Sequence, residues 1–377
     1  MAVCRFMGGD KVLNAVGKGW TRESAARSAV GEARERASAF REPGSFRRAS
    51  YRQLGDDAIH PDRYLLFSES QLSRKQDQGP AARVGIDVIP ERLPPDAQIE
   101  WVRLQGVVED RSPRYFPAGC LFFGWKHESA RFCRADSVGM ASWGNRDGAL
   151  VAGLLECIER DAVALWWYNR LILPRIDAGS LSDPWLTRLK AELDDLDCLW
   201  WFLDLTTDLG LPVFASLGFP RDDAECPPLM GFSAGFDAAE TLRKAAIEMT
   251  QGLPLVSRTT PHLGQTSAEM LQFTRTDLPF MPFLRGCPTV QQVRRRMPRD
   301  RSAEALADQL ESTGYPSYYL DLTPPGADYS VVKVAVPGLR PPWPRYAPGR
   351  LFDVPVSLGR LATPCSEFDL NPVPFVL

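Results

Sequence analysis

Histidine is scarce in this chain: 377 residues include only His60, His127 and His262. None stands at a metal-ligand spacing from another, which argues against a histidine-built metal centre, and all three stay unassigned. The eight cysteines, Cys4, Cys120, Cys133, Cys157, Cys198, Cys226, Cys287 and Cys365, are scattered. No CxxC pair occurs among them, so zinc and dithiol redox chemistry have no support, and reduced, partly buried thiols are expected. The net charge of −3 comes with no basic stripe interleaved with aromatics, so nucleic acid is not an expected partner. No apolar run is long enough to span a bilayer, and Met-Ala-Val-Cys-Arg-Phe-Met-Gly-Gly-Asp at the start has no apolar signal core. We expect a cytoplasmic protein with no membrane partner. The GxxxxGKS/T loop and a GxGxxG turn after a strand are both missing, which removes P-loop and dinucleotide-binding readings.

What is present is a globular composition, 44% apolar and 24% charged, in a chain long enough to bury a large core. Thr21 to Phe40 reads as a helix with a small apolar face of Ala25, Ala26, Ala29, Val30 and Ala33, stopped by Pro43-Gly44. Strands are expected over Ala82–Val88, Glu100–Leu104 and Gly119–Gly124. Ser137 to Asn145 reads as a glycine-rich loop, and Asp147 as the cap of a long helix ending near Asn169. Strands follow at Trp200–Leu205 and Leu211–Leu217, then a helix from Ala238 to Gln251. Strands alternating with helices predict an α/β (α+β) architecture. The last stretch holds Pro324-Pro325, Pro341-Pro342-Trp343-Pro344 and Asn371-Pro372-Val373-Pro374. Such density excludes helix interiors and predicts an extended C-terminal arm.

Two helices carry glutamates three apart followed by arginine: Glu32, Glu35 and Arg36 on the first, Glu156, Glu159 and Arg160 on the second. Residues three apart share a helix face, so each helix sets two like charges side by side. A divalent cation such as Mg2+ is one physical reason to do so, because it takes carboxylate and phosphate oxygens together. The loop at Ser137 offers backbone amides to phosphate, and Lys18 in Gly17-Lys18-Gly19 offers a cation. The third helix carries Glu248 and Gln251 at the same spacing. The three helices thus look like a weak strand-loop-helix repeat.

Taken in order, these motifs resemble the YcaO-domain family. Gly17-Lys18-Gly19 with Ser28-Ala-Val-Gly-Glu32-Ala-Arg-Glu35-Arg36 is similar to its first nucleotide motif. Ser137-Val-Gly-Met through Glu156-Cys-Ile-Glu159-Arg160-Asp161 is similar to its second. Asp204-Leu-Thr-Thr-Asp-Leu-Gly-Leu-Pro212-Val, Glu248-Met-Thr-Gln251 and Val334-Ala-Val-Pro337-Gly338-Leu339 resemble later blocks. The resemblance implies the YcaO fold: mixed sheets packed by helices, and one domain over 1–377. Within it lie a first ATP motif region (1–80), a nucleotide-binding core (81–260), a C-terminal region (261–363) and a proline-rich tail (364–377).

The resemblance also implies ATP and Mg2+ as cofactors and activation of peptide backbone amides. Azoline-forming members cyclise Cys, Ser or Thr onto the preceding amide, whose oxygen leaves after phosphorylation. Carried over, Glu32, Glu35, Glu156 and Glu159 are metal ligands. Lys18, Ser28, Arg36, Ser137, Arg160, Glu248 and Gln251 join these glutamates around the nucleotide. The tail resembles the PxPxP ending of azoline formers, with Pro372, Pro374 and the terminal Leu377 as candidate catalytic residues and Val376 where a third proline would stand. Implied partners are a ribosomal precursor peptide, a separate leader-peptide-binding protein (E1-like or RRE-containing), a flavin dehydrogenase and a second copy of the chain as a homodimer. The rival readings are thioamide or amidine formation by the same ATP chemistry, and a non-catalytic scaffold. Two departures motivate the scaffold: Asp147-Gly148 replaces a usual glutamate, and Leu253 replaces a usual arginine for which Arg258 is a candidate substitute.

Overall fold

A computed structural model describes residues 1–73, 88–177, 181, 183–220, 228–253, 281–287 and 300–375. In chain order the strands are β1 Ala2–Gly8, β2 Lys11–Gly17, β3 Arg47–Ala49, β4 Ile99–Gly106, β5 Arg114–Pro117 and β6 Met140–Trp143. They continue as β7 Arg175–Ile176, β8 Cys198–Asp204, β9 Val213–Pro220, β10 Leu229–Ala234, β11 Tyr318–Asp321 and β12 Ser330–Ala335. The longer helices are α1 Arg22–Ala39, α2 Arg146–Asn169, α3 Pro184–Asp195, α4 Ala238–Met249, α5 Ala303–Ser312 and α6 Arg350–Ser357. The chain forms two compact units. One holds Met1–Cys157, Asp300–Pro341 and Arg345–Gly349; the other holds Ile158–Arg299, Pro342–Pro344 and Arg350–Leu377.

In the first unit β1 and β2 form a hairpin around Gly9-Asp10. Gly9 has φ +60, which a two-residue hairpin turn requires. The hairpin leans on α1, whose buried face is Ala25, Ala29 and Ala33. Small side chains let the backbones meet: a Cβ on Gly17 would lie 2.0 Å from the Ala29 nitrogen. A reciprocal capping box between Thr21 and Ser24 starts α1. Ala26 and Val30 are exposed, so the apolar face is narrower than the periodicity predicts. A six-stranded antiparallel sheet runs β3-β4-β11-β12-β6, with β5 also on β4. Its core includes Ile99, Trp101, Leu104, Phe116 and Tyr318. Each such large side chain contributes ~1.5–3 kcal/mol on burial.

The second unit carries an antiparallel sheet, β10-β9-β8-β7. Apolar side chains of α3 (Leu186, Leu189, Leu193) and α4 (Leu242, Ala245, Ala246, Met249) join Phe202 and Phe214 in its core. The boundary between the units falls inside α2, after Cys157. All pairings between these strands are antiparallel, so α+β is the fitting half of the expected class.

Several expectations need correction. Gly119–Gly124 is not a strand: a 3-10 turn covers Ala118–Cys120, and the strand is the preceding β5. The Ser137–Asn145 stretch is not all loop, because Met140–Trp143 pairs with β12. Asp147 does not cap its own helix. The Asn145 carboxamide accepts from the Gly148 amide at 2.8 Å, while Asp147 accepts from the Ala303 amide of α5 at 3.0 Å. The proline-rich end is not wholly extended, since α6 accommodates Pro355 within it. Residues 82–87 of the expected first strand lie outside the described residues. The seven described cysteines are free thiols. Among the described residues no helix is long and apolar enough to cross a membrane.

Candidate active site

The resemblance among the three glutamate helices has a physical basis. In each, a glutamate reaches back to a backbone amide 16 or 17 residues earlier. Glu32 accepts from Val16 at 3.2 Å, Glu156 from Gly139 at 3.0 Å, and Glu248 from Phe232 at 2.7 Å. A glycine lies at or beside each donating amide, and Gly231 repeats the close approach of Gly17: its Cβ would lie 2.1 Å from the Met249 nitrogen. The glutamate thus stitches helix to strand where a side chain would hold them apart.

Glu35 lies one turn beyond Glu32 on α1. Its Oε1 accepts from the Ser142 amide at 2.8 Å. Among the described residues β6 is the sheet's edge, paired with β12 alone, so Glu35 satisfies an outward-facing edge amide. Burial pushes the Glu35 carboxyl up to about 8; the Ser142 amide opposes this, and repulsion from Glu156 and Glu32 adds to it. Three of the four predicted metal ligands, Glu32, Glu35 and Glu156, therefore share one neighbourhood in the first unit. Arg36 pairs with Glu32 across one turn.

Among the described residues no three His, Cys, Asp or Glu side chains converge as a ready metal cage. Mg2+ does not require one, since it is commonly met by one or two carboxylates plus phosphate oxygens and water. The carboxylate group fits such an ion: each member is held by a backbone amide, and at least one is uncomfortable without a cation.

The other predicted residues are distributed as follows. Lys18 and Ser28, both half-buried, flank the contact between Gly17 and α1. Ser137 is exposed, and its carbonyl accepts from the Met140 amide at 2.9 Å. Glu159 and Arg160 lie in the second unit as an ion pair at 3.1 Å. Glu248 and Gln251 also belong to the second unit. There the tail runs extended along the end of α2, with Pro372 exposed and Pro374 buried. Leu377 lies outside the described residues, as does Arg258. Leu253 packs against the apolar core of the second unit, so its side chain has a structural use. Gly148 abuts Trp143: a Cβ there would lie 2.2 Å from the indole Cδ1.

Two supporting residues were not singled out from sequence. Lys333 is fully buried on β12 and donates to the Asp136 carbonyl at 2.8 Å, the Asp136 carboxylate at 3.1 Å and the Val138 carbonyl at 2.7 Å. It ties down the loop that carries Ser137. A lysine inside Val331-Val332-Lys333-Val334 was the available signal, because an apolar strand buries a charge only when it is paired. Arg350 grips Asp161 through three bonds of 2.7–3.0 Å and Asp208 through two of 2.7–2.9 Å. Burial alone would lower the Arg350 pKa, but Asp161 and Asp208 raise it above its usual value.

Comparison with known proteins agrees with this geometry. Residues 16–340 match the family described as YcaO cyclodehydratase, ATP- and Mg2+-binding. A solved heterocyclase in complex with substrate and cofactor is 32% identical with TM-score 0.88, covering 96% of this chain and 49% of that one. The heterocyclase TruD is 30% identical with TM-score 0.81, covering 94% of this chain and 51% of that one. The chain thus spans about half the length of these two proteins. YcaO from Methanopyrus kandleri, solved with AMPPCP and Mg2+, shares the fold at 22% identity and TM-score 0.63, covering 89% of this chain and 81% of that one. The chain belongs to the YcaO cyclodehydratase family.

Proposed function

We propose that this chain uses ATP and Mg2+ to cyclodehydrate Cys, Ser or Thr residues of a ribosomally made peptide to azolines. The carrying observation is the acidic group of Glu32, Glu35 and Glu156, in which Glu35 is pushed up to about 8 by burial and by its two carboxylate neighbours. Carboxylates gathered this way favour a divalent cation, and the family is one that binds Mg2+ and ATP. In this reading Glu32, Glu35, Glu156 and Glu159 hold the metal. Lys18, Arg36 and Arg160 offer positive charge to the phosphates, and Ser28, Ser137, Glu248 and Gln251 complete the nucleotide's surroundings. Pro372, Pro374 and Leu377 bring the tail to the reacting amide. When bound, Mg2+ neutralises charge on the phosphoryl group in transfer. The side-chain thiol or hydroxyl adds to the amide carbonyl. The former carbonyl oxygen takes the γ-phosphoryl group of ATP and departs as phosphate as the ring closes, and the peptide is left lighter by the mass of one water while ATP becomes ADP.

The finer assignments belong to the same reading: one YcaO domain over 1–377, a cytoplasmic site of action, and a leader-peptide-binding protein as partner. A flavin dehydrogenase and a second copy of the chain complete the set. The test is calorimetric titration with a non-hydrolysable ATP analogue and Mg2+, beside Glu35→Gln and Glu156→Gln. Magnesium-dependent binding, weakened in both variants, is expected. A Cys- and Ser-containing peptide should then lose one water per ring by mass. Absence of nucleotide binding, with a leader-binding partner also present, overturns the reading in favour of a scaffold.

A further inference from the structure

The end of α2 carries four large polar-tipped residues, Trp166, Trp167, Tyr168 and Asn169, all buried. The Tyr168 hydroxyl donates to the Pro342 carbonyl at 2.8 Å and accepts from the Phe375 amide at 3.3 Å. The Tyr168 carbonyl accepts from the Asn371 amide at 2.7 Å. The Asn371 side chain donates to the Trp167 carbonyl at 3.3 Å and accepts from the Val373 amide at 3.1 Å. The Trp167 indole donates to the Val373 carbonyl at 2.7 Å. The Phe375 ring packs edge-on against Trp167 and Phe232, with centroids 5.2 and 5.4 Å away.

A rule emerges from these contacts. The amides of Asn371, Val373 and Phe375 all have partners, and the two positions between them are Pro372 and Pro374. Proline has no N–H, so burying Pro374 leaves no orphan donor. The alternation of proline is therefore the register of a docked strand-like segment. The tail also satisfies carbonyls at the C-terminal end of α2, which lack partners within the helix.

We propose that Tyr168 is a positioning residue: its hydroxyl clasps the tail to the helix that bears Glu159 and fixes where the tail is delivered. The proposal rests on the azoline-forming reading for the tail's purpose, but the docking itself does not. Tyr168→Phe keeps the ring and removes both hydroxyl bonds. Trp167→Phe keeps an aromatic ring and removes the bond to Val373.

The full chain and both variants are exposed to carboxypeptidase, and C-terminal trimming is followed by intact mass. Phosphate release from ATP and ring formation are measured, with a leader-binding partner present, on a synthetic leader-bearing peptide containing Cys and Ser. Trimming about tenfold faster in both variants is expected from the loss of buried hydrogen bonds. The turnover number, counted per nucleotide-binding site titrated in each variant, should fall by a similar factor with the KM for ATP unchanged; general destabilisation would lower the number of titratable sites and leave turnover per site at the wild-type value. Wild-type trimming rates in both variants overturn the clasp. Faster trimming with unchanged turnover overturns the positioning role. If the wild type forms no rings, the functional reading fails with the positioning role that rests on it, and the trimming comparison still decides the clasp.

Discussion

The carboxylate of Glu35 caps the amide of Ser142, 107 residues away, at 2.8 Å. The helix that carries the first acidic pair is thereby fastened to the edge of the six-stranded sheet. The same carboxyl feels Glu156 and Glu32. One side chain thus joins a structural task to a metal-binding one; both call for the carboxylate, while burial and its acidic neighbours favour the protonated form.

That conflict predicts a pH dependence. The Glu35 carboxyl titrates near 8 in the folded chain against 4.5 as its ordinary value. Between those values the folded state keeps a proton that the unfolded state has released. Without metal, stability therefore falls as pH rises through this window and levels off above it. Thermal unfolding in EDTA across the window should show this slope, reduced in Glu35→Gln. Mg2+ binding displaces the proton, so magnesium and nucleotide affinity should rise over the same range. Identical slopes in wild type and variant would refute the assignment.

The Trp143–Gly148 contact predicts a coupled substitution. Trp143 is 58% exposed, and its indole lies where any side chain at position 148 would begin. Gly148→Glu alone should displace the indole and weaken nucleotide binding. Gly148→Glu with Trp143→Ala should bind better than Gly148→Glu alone. A double-mutant cycle on nucleotide affinity measures this, and strict additivity of the two changes would show that indole and glutamate do not compete for one place.

Local pattern made much of the frame legible. Apolar periodicity located α1, α2 and α4, and continuous apolar runs located β8 and β9. The β1–β2 hairpin carried a signal in Gly9-Asp10 between two apolar stretches, but its alternation is diluted by the exposed Val3, Met7, Val12 and Val16. Strand β6 was hidden between glycines at 139 and 144. The glutamate pairs were visible because helix spacing is local. Their amide partners were not, and neither was the bond of Arg350 to Asp161, because nothing in a local window encodes a contact between residues 189 apart.

Lys333 predicts a stability cost that is mostly electrostatic. Lys333→Met removes the cation facing Asp136, a nearly buried carboxylate. Leaving such a charge without its partner costs ~3–5 kcal/mol. Adding Asp136→Asn should recover much of that loss in urea unfolding. Nucleotide affinity should stay reduced in the double variant, since the Asp136 and Val138 carbonyls still lack the lysine that holds the Ser137 loop. Full recovery of affinity would place the lysine's role in charge balance alone.

Arg350 and Asp161 test how far the end of the chain is built into the second unit. Their side chains are 1% and 0% exposed. Arg350 opens α6, whose Leu351 carbonyl also accepts from the Asn169 side chain at 2.8 Å. Removing one partner strands the other charge in the interior, so Arg350→Met and Asp161→Asn should each cost ~3–5 kcal/mol in chemical unfolding. Asp208 remains near the guanidinium at 32% exposure, so Asp161→Asn should be the milder of the two. The double change Arg350→Met with Asp161→Leu removes both charges and should cost less than the sum of the single changes. If the double variant loses the sum or more, the pair is needed for geometry as well as charge neutrality. Carboxypeptidase trimming of the tail should then accelerate in the double variant, because α6 and the tail share the end of α2 as their support.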